Sequence, residues 1–152
     1  MASIYVIGSL RNPQVPEVAR TLRAYGHEVY DDWYAAGPHA DDWWRKYEIQ
    51  RGRNFLEALQ GWAARHTFEN DKRHLDECDT AVLVMPGGKS SHLELGYMAG
   101  QKKNTYILFP RGLPRRFDVM VRFATGAFQS VDELVVALSQ RASNVAPWSS
   151  DR

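Results

Sequence analysis

The apolar run from Thr80 to Met85, TAVLVM, constrains the fold of this chain more than any other stretch. It has the length of a strand, is broken by Pro86-Gly87-Gly88, and is followed by a helical pattern over residues 91–101. Continuous apolar runs of this kind are typical of strands that are buried on both faces of a sheet. The run therefore predicts a central strand in a parallel sheet.

Strand and helix patterns alternate along the rest of the chain. Further strands are predicted at residues 4–7, 27–33, 105–109 and 127–129. Helices are predicted at 15–25, 41–59, 62–77, 91–101, 117–123 and 131–140, the last with Ser130 as N-cap and Glu133 completing a capping box. This order predicts a single-domain α/β fold: an open parallel sheet (Rossmann/flavodoxin-like) of about five strands with helices on both faces. We assign it to residues 1–141 and expect residues 142–152 to form a flexible polar tail.

Composition excludes several classes of function. The chain is 44% hydrophobic and 24% charged with a formal net charge of +1, so no basic field predicts a nucleic acid partner. The single cysteine, Cys78, precludes an internal disulfide, and the five histidines lack metal-ligand spacing. The N-terminus lacks the pattern of a signal peptide, and no apolar run approaches the length of about 20 residues that spans a membrane. We expect a cytoplasmic protein without metal, cofactor or membrane partner.

Two loops lie where ligands are expected, because ligands of open parallel sheets bind at the carboxyl ends of the strands. The first is Gly8-Ser9-Leu10-Arg11-Asn12, in which Ser9 and Arg11 are suited to a phosphate or a sugar hydroxyl. The second runs from Pro86 to Ser91, and Glu94 follows it within an apolar helical stretch.

Glu94 is the main candidate for chemistry. If the helix begins at Ser91, Glu94 lies in its first turn, where backbone N–H groups and a partial positive charge favour an ionised carboxylate. Ser90 and Ser91 are candidate N-caps there. An ionised carboxylate fixed beside a cleft has the properties of a nucleophile. The alternative is that Glu94 only completes a capping box with Ser91.

Two further side chains are candidates on weaker grounds. Asp71 lies eight residues before Asp79, on the helix that precedes the TAVLVM strand, and from the residues alone its expected role is that of a surface carboxylate. Tyr5, on the first strand, is either a core residue or close enough for its hydroxyl to reach Glu94. We interpret Asp79 as structural, since it fixes the start of the buried strand.

Three stretches together resemble the nucleoside 2-deoxyribosyltransferase superfamily, which includes deoxynucleoside 5'-monophosphate N-glycosidases and cytidine monophosphate hydrolases. They are IYVIGSLRN, the aspartate Asp71 of ENDKRHLDECDTAVLV, and HLELGYMAGQKK, and their order and spacing fit over roughly residues 4–140. The superfamily's signature is a glutamate followed by an apolar residue and a glycine, which here is Glu94-Leu95-Gly96.

The resemblance implies a retaining mechanism on a nucleoside or nucleotide. Glu94 would attack the anomeric carbon and form a covalent glycosyl-enzyme, Asp71 would be the general acid for the leaving base, and Tyr5 would orient Glu94. The turn that contains Gly88, Ser90 and Ser91 would shape the sugar site together with the loop after the first strand. The resemblance also implies a homodimer or a higher even homo-oligomer with shared active sites.

Departures from the superfamily bear on the substrate. Members that bind phosphate carry a serine six residues before the glutamate, where this chain has Gly88. In the segment that a neighbouring subunit donates, Asp118 lies two residues before Met120, and an aspartate there would repel a 5'-phosphate but accept a hydrogen bond from a 5'-hydroxyl. Ser9 and Arg11, in contrast, match the phosphate-binding members. The balance favours an unphosphorylated nucleoside.

Other interpretations remain open at this level. The stretch from Pro86 to Glu94 also resembles the PGGxGTxxE motif of cytokinin-riboside-monophosphate phosphoribohydrolases, although serines replace its third glycine and its threonine. The chain could instead be a catalytically silent nucleotide- or nucleoside-binding module. A third possibility is a glycohydrolase of a dinucleotide such as NAD, for which the aromatic segment 33–62 would serve the larger substrate.

Overall fold

The structure, a computed structural model, describes residues 1–140 and Trp148. The strands are β1 Ser3–Ile7, β2 Glu28–Tyr30, β3 Thr80–Val84, β4 Asn104–Leu108 and β5 Gly126–Phe128. The α-helices are α1 Gln14–Ala24, α2 Ala40–Gln50, α3 Phe55–Leu59, α4 Trp62–Glu77, α5 Lys89–Gly100 and α6 Val131–Ser139. Two 3-10 helices cover Asp32–Ala36 and Val119–Phe123.

The five strands form one parallel sheet in the order β2-β1-β3-β4-β5. This confirms the predicted fold, and the order is that of flavodoxin-like proteins. The order reverses direction between β1 and β3, where Tyr5 lies opposite Ala81 and Ile7 opposite Leu83. A crevice opens beyond the carboxyl ends of two such strands, which makes this point of the sheet the expected ligand site.

The sheet is buried on both faces. Alternate residues of β1 and β3 pack in two different clusters: Ile4 and Val6 lie with α1 and α6, whereas Tyr5 and Ile7 lie with α4 and α5. The period of two along a strand causes this division. As predicted, β3 is buried at every position, which explains why its sequence is continuously apolar.

Several boundaries differ from the sequence prediction. The second strand ends at Tyr30, and a 3-10 helix replaces its predicted continuation. The single helix predicted at 41–59 is two helices, because Gly52 adopts a positive φ of 74° between them and Asn54 forms a capping box with Glu57. At the C-terminal helix, Ser130 accepts a hydrogen bond from the backbone N–H of Glu133, as predicted.

Cys78 and Asp79, the two residues before β3, both have structural roles, and that of Asp79 was predicted. Cys78 is a buried free thiol in the core, and burial raises its pKa. Asp79 accepts hydrogen bonds from the Ser3 backbone N–H and the Thr80 hydroxyl, which fixes the start of the strand. The predicted tail at 142–152 lies outside the described residues, apart from Trp148. No helix in the described part of the chain is long and apolar enough to cross a membrane.

Candidate functional site

The carboxyl ends of β1 and β3 are held together by the loop that follows β1. The amide of Asn12 is buried and donates hydrogen bonds to the backbone oxygens of Val84 (3.2 Å) and Pro86 (3.4 Å). Gly8 lies so close to α1 that a Cβ atom there would approach Val15 Cγ2 to 2.6 Å. The loop is therefore locked against the β3 end, and its glycine is a steric requirement.

Glu94, Tyr5 and Asp71 converge at this crevice. Glu94 is partly buried on α5, and the Tyr5 hydroxyl on β1 forms a hydrogen bond with its carboxylate. Burial, followed by the negative charge of Asp71, raises the pKa of Glu94 to about 7, and the Tyr5 hydrogen bond acts in the opposite direction. Burial, followed by the charges of Glu94 and Asp71, raises the pKa of Tyr5, so its hydroxyl stays protonated and acts as a donor.

The position of Glu94 within its helix corrects the sequence prediction. Helix α5 begins at Lys89 with Gly88 as N-cap, and no side chain caps it. Glu94 therefore lies in the second turn, and Ser91 is a buried helical residue, so neither the first-turn placement nor the capping box is correct. The effect of the helix dipole falls off within the first turn. Burial consequently dominates, and the pKa of Glu94 is raised where the sequence predicted an ionised group.

Asp71 projects from α4 beside residues that the sequence analysis did not select. Burial raises the pKa of Asp71, while a hydrogen bond from the Asn70 side chain and the proximity of His74 lower it. The Asn70 amide also donates to the Tyr30 hydroxyl at 3.3 Å, and the Tyr30 ring stacks on His74. Asn70 directly precedes Asp71, and His74 follows it by three residues, about one helical turn, which was an available signal. Tyr30 comes from β2 and gives no local signal.

The side chains of Ser9 and Arg11, in the loop after β1, make different contacts. The Ser9 hydroxyl accepts a hydrogen bond from the Arg11 backbone N–H at 3.1 Å. The Arg11 side chain, 65% exposed, donates to the Pro38 carbonyl (3.2 Å) and forms an ion pair with Asp42 (2.9 Å). Arg11 thus connects the β1 loop to the start of α2. Exposed ion pairs of this kind contribute little to stability.

The turn before α5 borders an open cavity of about 700 Å³. Its lining residues are Gly87, Gly88, Lys89, His92 and Leu93. A Cβ atom on Gly88 would meet nothing within 4 Å, so sterics do not require glycine there. Ser90 is exposed, whereas Ser91 is buried. Ser91 is close to Gly87, because a Cβ atom added to Gly87 would lie 3.0 Å from the Ser91 Oγ.

Asp118 and Met120 belong to an exposed segment after β4. The Asp118 carboxylate accepts a hydrogen bond from the Met120 backbone N–H at 2.9 Å and caps the short 3-10 helix. The flanking apolar side chains are open to solvent, with Phe117 94% exposed and Phe123 75% exposed. Such a cluster of exposed apolar side chains is typical of a protein–protein contact.

The fold and the site together define an α/β protein with two partly buried carboxylates at the switch point of a parallel sheet. Among the described residues, no group of histidine, cysteine, aspartate or glutamate is arranged to hold a metal ion. Paired carboxylates with perturbed pKa values are a recurrent feature of sites for general acid and nucleophilic catalysis.

Comparison with known proteins finds similarity among solved structures. No protein-family model matches the chain, and no curated protein matches it. The chain is similar to a 2-deoxyribosyltransferase from the psychrotolerant bacterium Bacillus psychrosaccharolyticus, with a TM-score of 0.56 and 16% sequence identity over 86% of this chain and 88% of that chain. This likeness confirms the predicted fold.

Proposed function

We propose that this chain belongs to the nucleoside 2-deoxyribosyltransferase superfamily. It cleaves the N-glycosidic bond of a nucleoside or nucleotide and transfers the sugar to water or to a second base. The convergence of Glu94, Asp71 and Tyr5 at the crevice between β1 and β3 carries this proposal. The shared fold supports it independently, because the solved relative has the corresponding architecture.

In the proposed reaction, ionised Glu94 attacks the anomeric carbon. A bond forms between the Glu94 carboxylate oxygen and that carbon as the carbon–nitrogen bond breaks, and its electron pair passes to the departing base. Asp71 gives its proton to the base, so that a neutral molecule leaves. Water or a second base then attacks the glycosyl-enzyme, returns a proton to Asp71 and releases Glu94. The buried hydroxyl of Tyr5 holds Glu94 in place for both steps.

For the substrate we propose an unphosphorylated nucleoside. The position that would supply a phosphate-binding serine is Gly88, and Asp118 would repel a phosphate. Arg11, the cation that best matches phosphate-binding members, is engaged with Asp42 and Pro38. Gly8, Ser9 and the turn containing Ser90 would border the sugar.

We also propose that the site is completed by a second copy of the chain. Asp118 and Met120 lie in the exposed apolar segment flanked by Phe117 and Phe123. Association would cover these side chains and place Asp118 or its neighbours in the adjacent site. The proposed unit is residues 1–141 in a homodimer or a higher even oligomer.

A base-release screen tests the proposal. The wild type, Glu94→Gln and Asp71→Asn would be incubated with nucleosides, 5'-monophosphates and NAD, with and without a second free base. Glu77→Gln, an exposed carboxylate at the end of α4, is the matched control. Release by the wild type and the control but not by Glu94→Gln is the expected result, and exchange of bases would identify a transferase.

The same screen separates the alternatives. Consumption of NAD alone would favour a dinucleotide glycohydrolase, and preference for 5'-monophosphates would overturn the substrate proposal. Binding of a nucleoside in a titration, with no base released from any compound, would favour a silent binding module. Release that is equal in Glu94→Gln and the wild type would contradict the assignment of the nucleophile.

A further inference from the structure

Helix α4, which carries Asp71, is weakly anchored to the rest of the protein by apolar contacts. Among the 16 residues of this helix, all of which the structure describes, Leu75 alone is buried. A helix normally owes its position to a wide apolar stripe that faces the core. The position of Asp71 relative to Glu94 must therefore depend on polar and aromatic contacts. These contacts form two groups at different levels along α4, one near Asp71 and one nearer the C-terminal end of the helix.

The contacts at the level of Asp71 converge on Tyr30, at the edge strand β2. The Tyr30 ring stacks on His74 with a centroid distance of 3.7 Å and an interplanar angle of 8°. Its hydroxyl accepts a hydrogen bond from the Asn70 amide at 3.3 Å. The Tyr30 ring also packs against the Tyr5 ring, with the two ring centroids 5.1 Å apart. Tyr30 thus contacts both the helix of Asp71 and the tyrosine that binds Glu94.

Asn70 links Tyr30 to Asp71. Its amide nitrogen donates to the Tyr30 hydroxyl, and the interaction of the same side chain with the neighbouring Asp71 carboxylate lowers the pKa of Asp71. The Asn70 side-chain oxygen accepts from Arg73 at 3.1 Å, which sets the orientation of the amide. The His74 ring is fixed too, since its Nδ1 donates to the Asn70 backbone oxygen at 2.8 Å. Asn70 and His74, which lie beside Asp71 on α4, therefore have defined orientations.

The second level of contacts lies nearer the C-terminal end of α4 and provides a comparison. There the Asp76 carboxylate accepts hydrogen bonds from the Tyr97 hydroxyl and the Gln101 amide of the α5 region. Lys103 donates to the backbone oxygens of Leu75 and Asp76, both at 2.8 Å. These contacts attach the helix end and do not involve Asn70 or His74.

We propose that Tyr30 is a positioning residue, which acts through Asn70 and His74 to hold Asp71 at the correct distance and orientation from Glu94. This inference rests on the proposed function and deepens it, because it assigns the alignment of the general acid to a residue outside the carboxylate pair. Misplacement of a catalytic group by about 1 Å is enough to lower a rate substantially. The charged groups around Tyr30 are Asp71, Asp32 and Arg73.

The test compares two substrates in three variants. Tyr30→Phe removes the hydroxyl and keeps the ring, Tyr30→Leu removes the stacking as well, and Tyr97→Phe is the matched control that removes a hydroxyl from the other level of α4. One substrate is an ordinary purine nucleoside. The other carries a methyl group on N7 of its purine, so the cationic base takes up the electron pair of the broken bond and leaves neutral, without a proton from Asp71.

For the ordinary nucleoside, we expect Tyr30→Leu to lower kcat at least about tenfold with little change in KM, and Tyr30→Phe to lower it less. For the methylated nucleoside, both variants should keep a rate within about twofold of the wild type, because general acid catalysis is bypassed. Tyr97→Phe should change neither rate appreciably. Equal losses on both substrates would show a merely structural role and overturn the inference, as would unchanged rates on both.

A second measurement does not depend on turnover. The Asp71 charge contributes to the raised pKa of Glu94, so moving Asp71 away should lower that pKa. A carboxyl-carbon NMR titration should show this shift in Tyr30→Leu and not in Tyr97→Phe, and an unchanged Glu94 pKa in Tyr30→Leu would overturn the inference. If the wild type releases no base at all, the proposed function fails, and this titration still decides whether Tyr30 positions Asp71.

Discussion

Replacing Glu94 by glutamine is expected to stabilise the protein, in a manner that depends on pH. Burial and the Asp71 charge raise the pKa of Glu94 from an ordinary 4.5 to about 7 in the folded protein. The folded state therefore binds a proton on Glu94 more tightly than the unfolded state does. The stability that this proton provides is complete below the unfolded pKa and is lost as the pH rises through about 7.

The size of the effect follows from the shift. At about 1.4 kcal/mol per pKa unit, the raised pKa of Glu94 costs the folded state about 3 kcal/mol at pH 8, where the group is ionised, but only about 1 kcal/mol at pH 5, where it stays protonated. A glutamine has nearly the same volume and no charge to desolvate. The free energy of unfolding of Glu94→Gln relative to the wild type should therefore rise by about 2 kcal/mol between pH 5 and pH 8.

The assay is urea unfolding followed by circular dichroism at four values between pH 5 and pH 8, at one protein concentration because association also contributes to stability. Glu77→Gln, which replaces an exposed carboxylate, should show no comparable trend. A difference between Glu94→Gln and the wild type that stays constant with pH would refute the reasoning. So would a variant that is less stable than the wild type at pH 8.

Three further outcomes follow from the site and its surroundings. The kcat/KM for base release should fall as the pH rises above about 7, because Glu94 and Asp71 then lose the one proton that they share and no general acid is left; a profile that stays level between pH 6 and pH 9 would contradict the shared proton. Gly8→Ala should lower the free energy of unfolding by about 1–3 kcal/mol, because its Cβ would meet the Val15 side chain; thermal unfolding measures this, and Val15→Ala should restore part of the loss. The double substitution Phe117→Ser, Phe123→Ser should reduce the mass observed by light scattering, and a single-chain mass for the wild type at micromolar concentration would contradict the proposed assembly.

The fold was predictable because its signals are local and repeated. The buried run from Thr80 to Val84 and its alternation with helices specify a parallel sheet, and the bounds Trp62–Glu77 of α4 agree with the predicted helix. Errors arose where one backbone conformation overrides the periodicity. The positive φ of Gly52 divides a pattern that otherwise continues, and the Asn54–Glu57 capping box was a signal for the new helix that the prediction did not use.

The candidate site was predictable only in part, since its geometry depends on contacts between distant elements. The convergence of Glu94, Asp71 and Tyr5 followed from motif order and strand adjacency. The environment of Glu94 was predicted wrongly, because helix α5 begins two residues earlier than predicted. The carboxylate therefore lies beyond the first turn of the helix. Tyr30 could not be selected, since its distance from Asp71 depends on how α4 crosses the edge of the sheet.

The protonation of the carboxylate pair connects these observations. The proposed chemistry requires Glu94 ionised and Asp71 protonated, yet in the unliganded site burial acts on both groups and the Asp71 charge raises the pKa of Glu94. Two carboxylates that interact in this way titrate as a pair, and one proton is shared between them near neutral pH. The Tyr5 hydrogen bond favours the ionised form of Glu94, whereas the Asn70 hydrogen bond favours the ionised form of Asp71. A departing base that draws the proton towards Asp71 would leave Glu94 as the charged partner, so the reactive arrangement arises with the substrate in place.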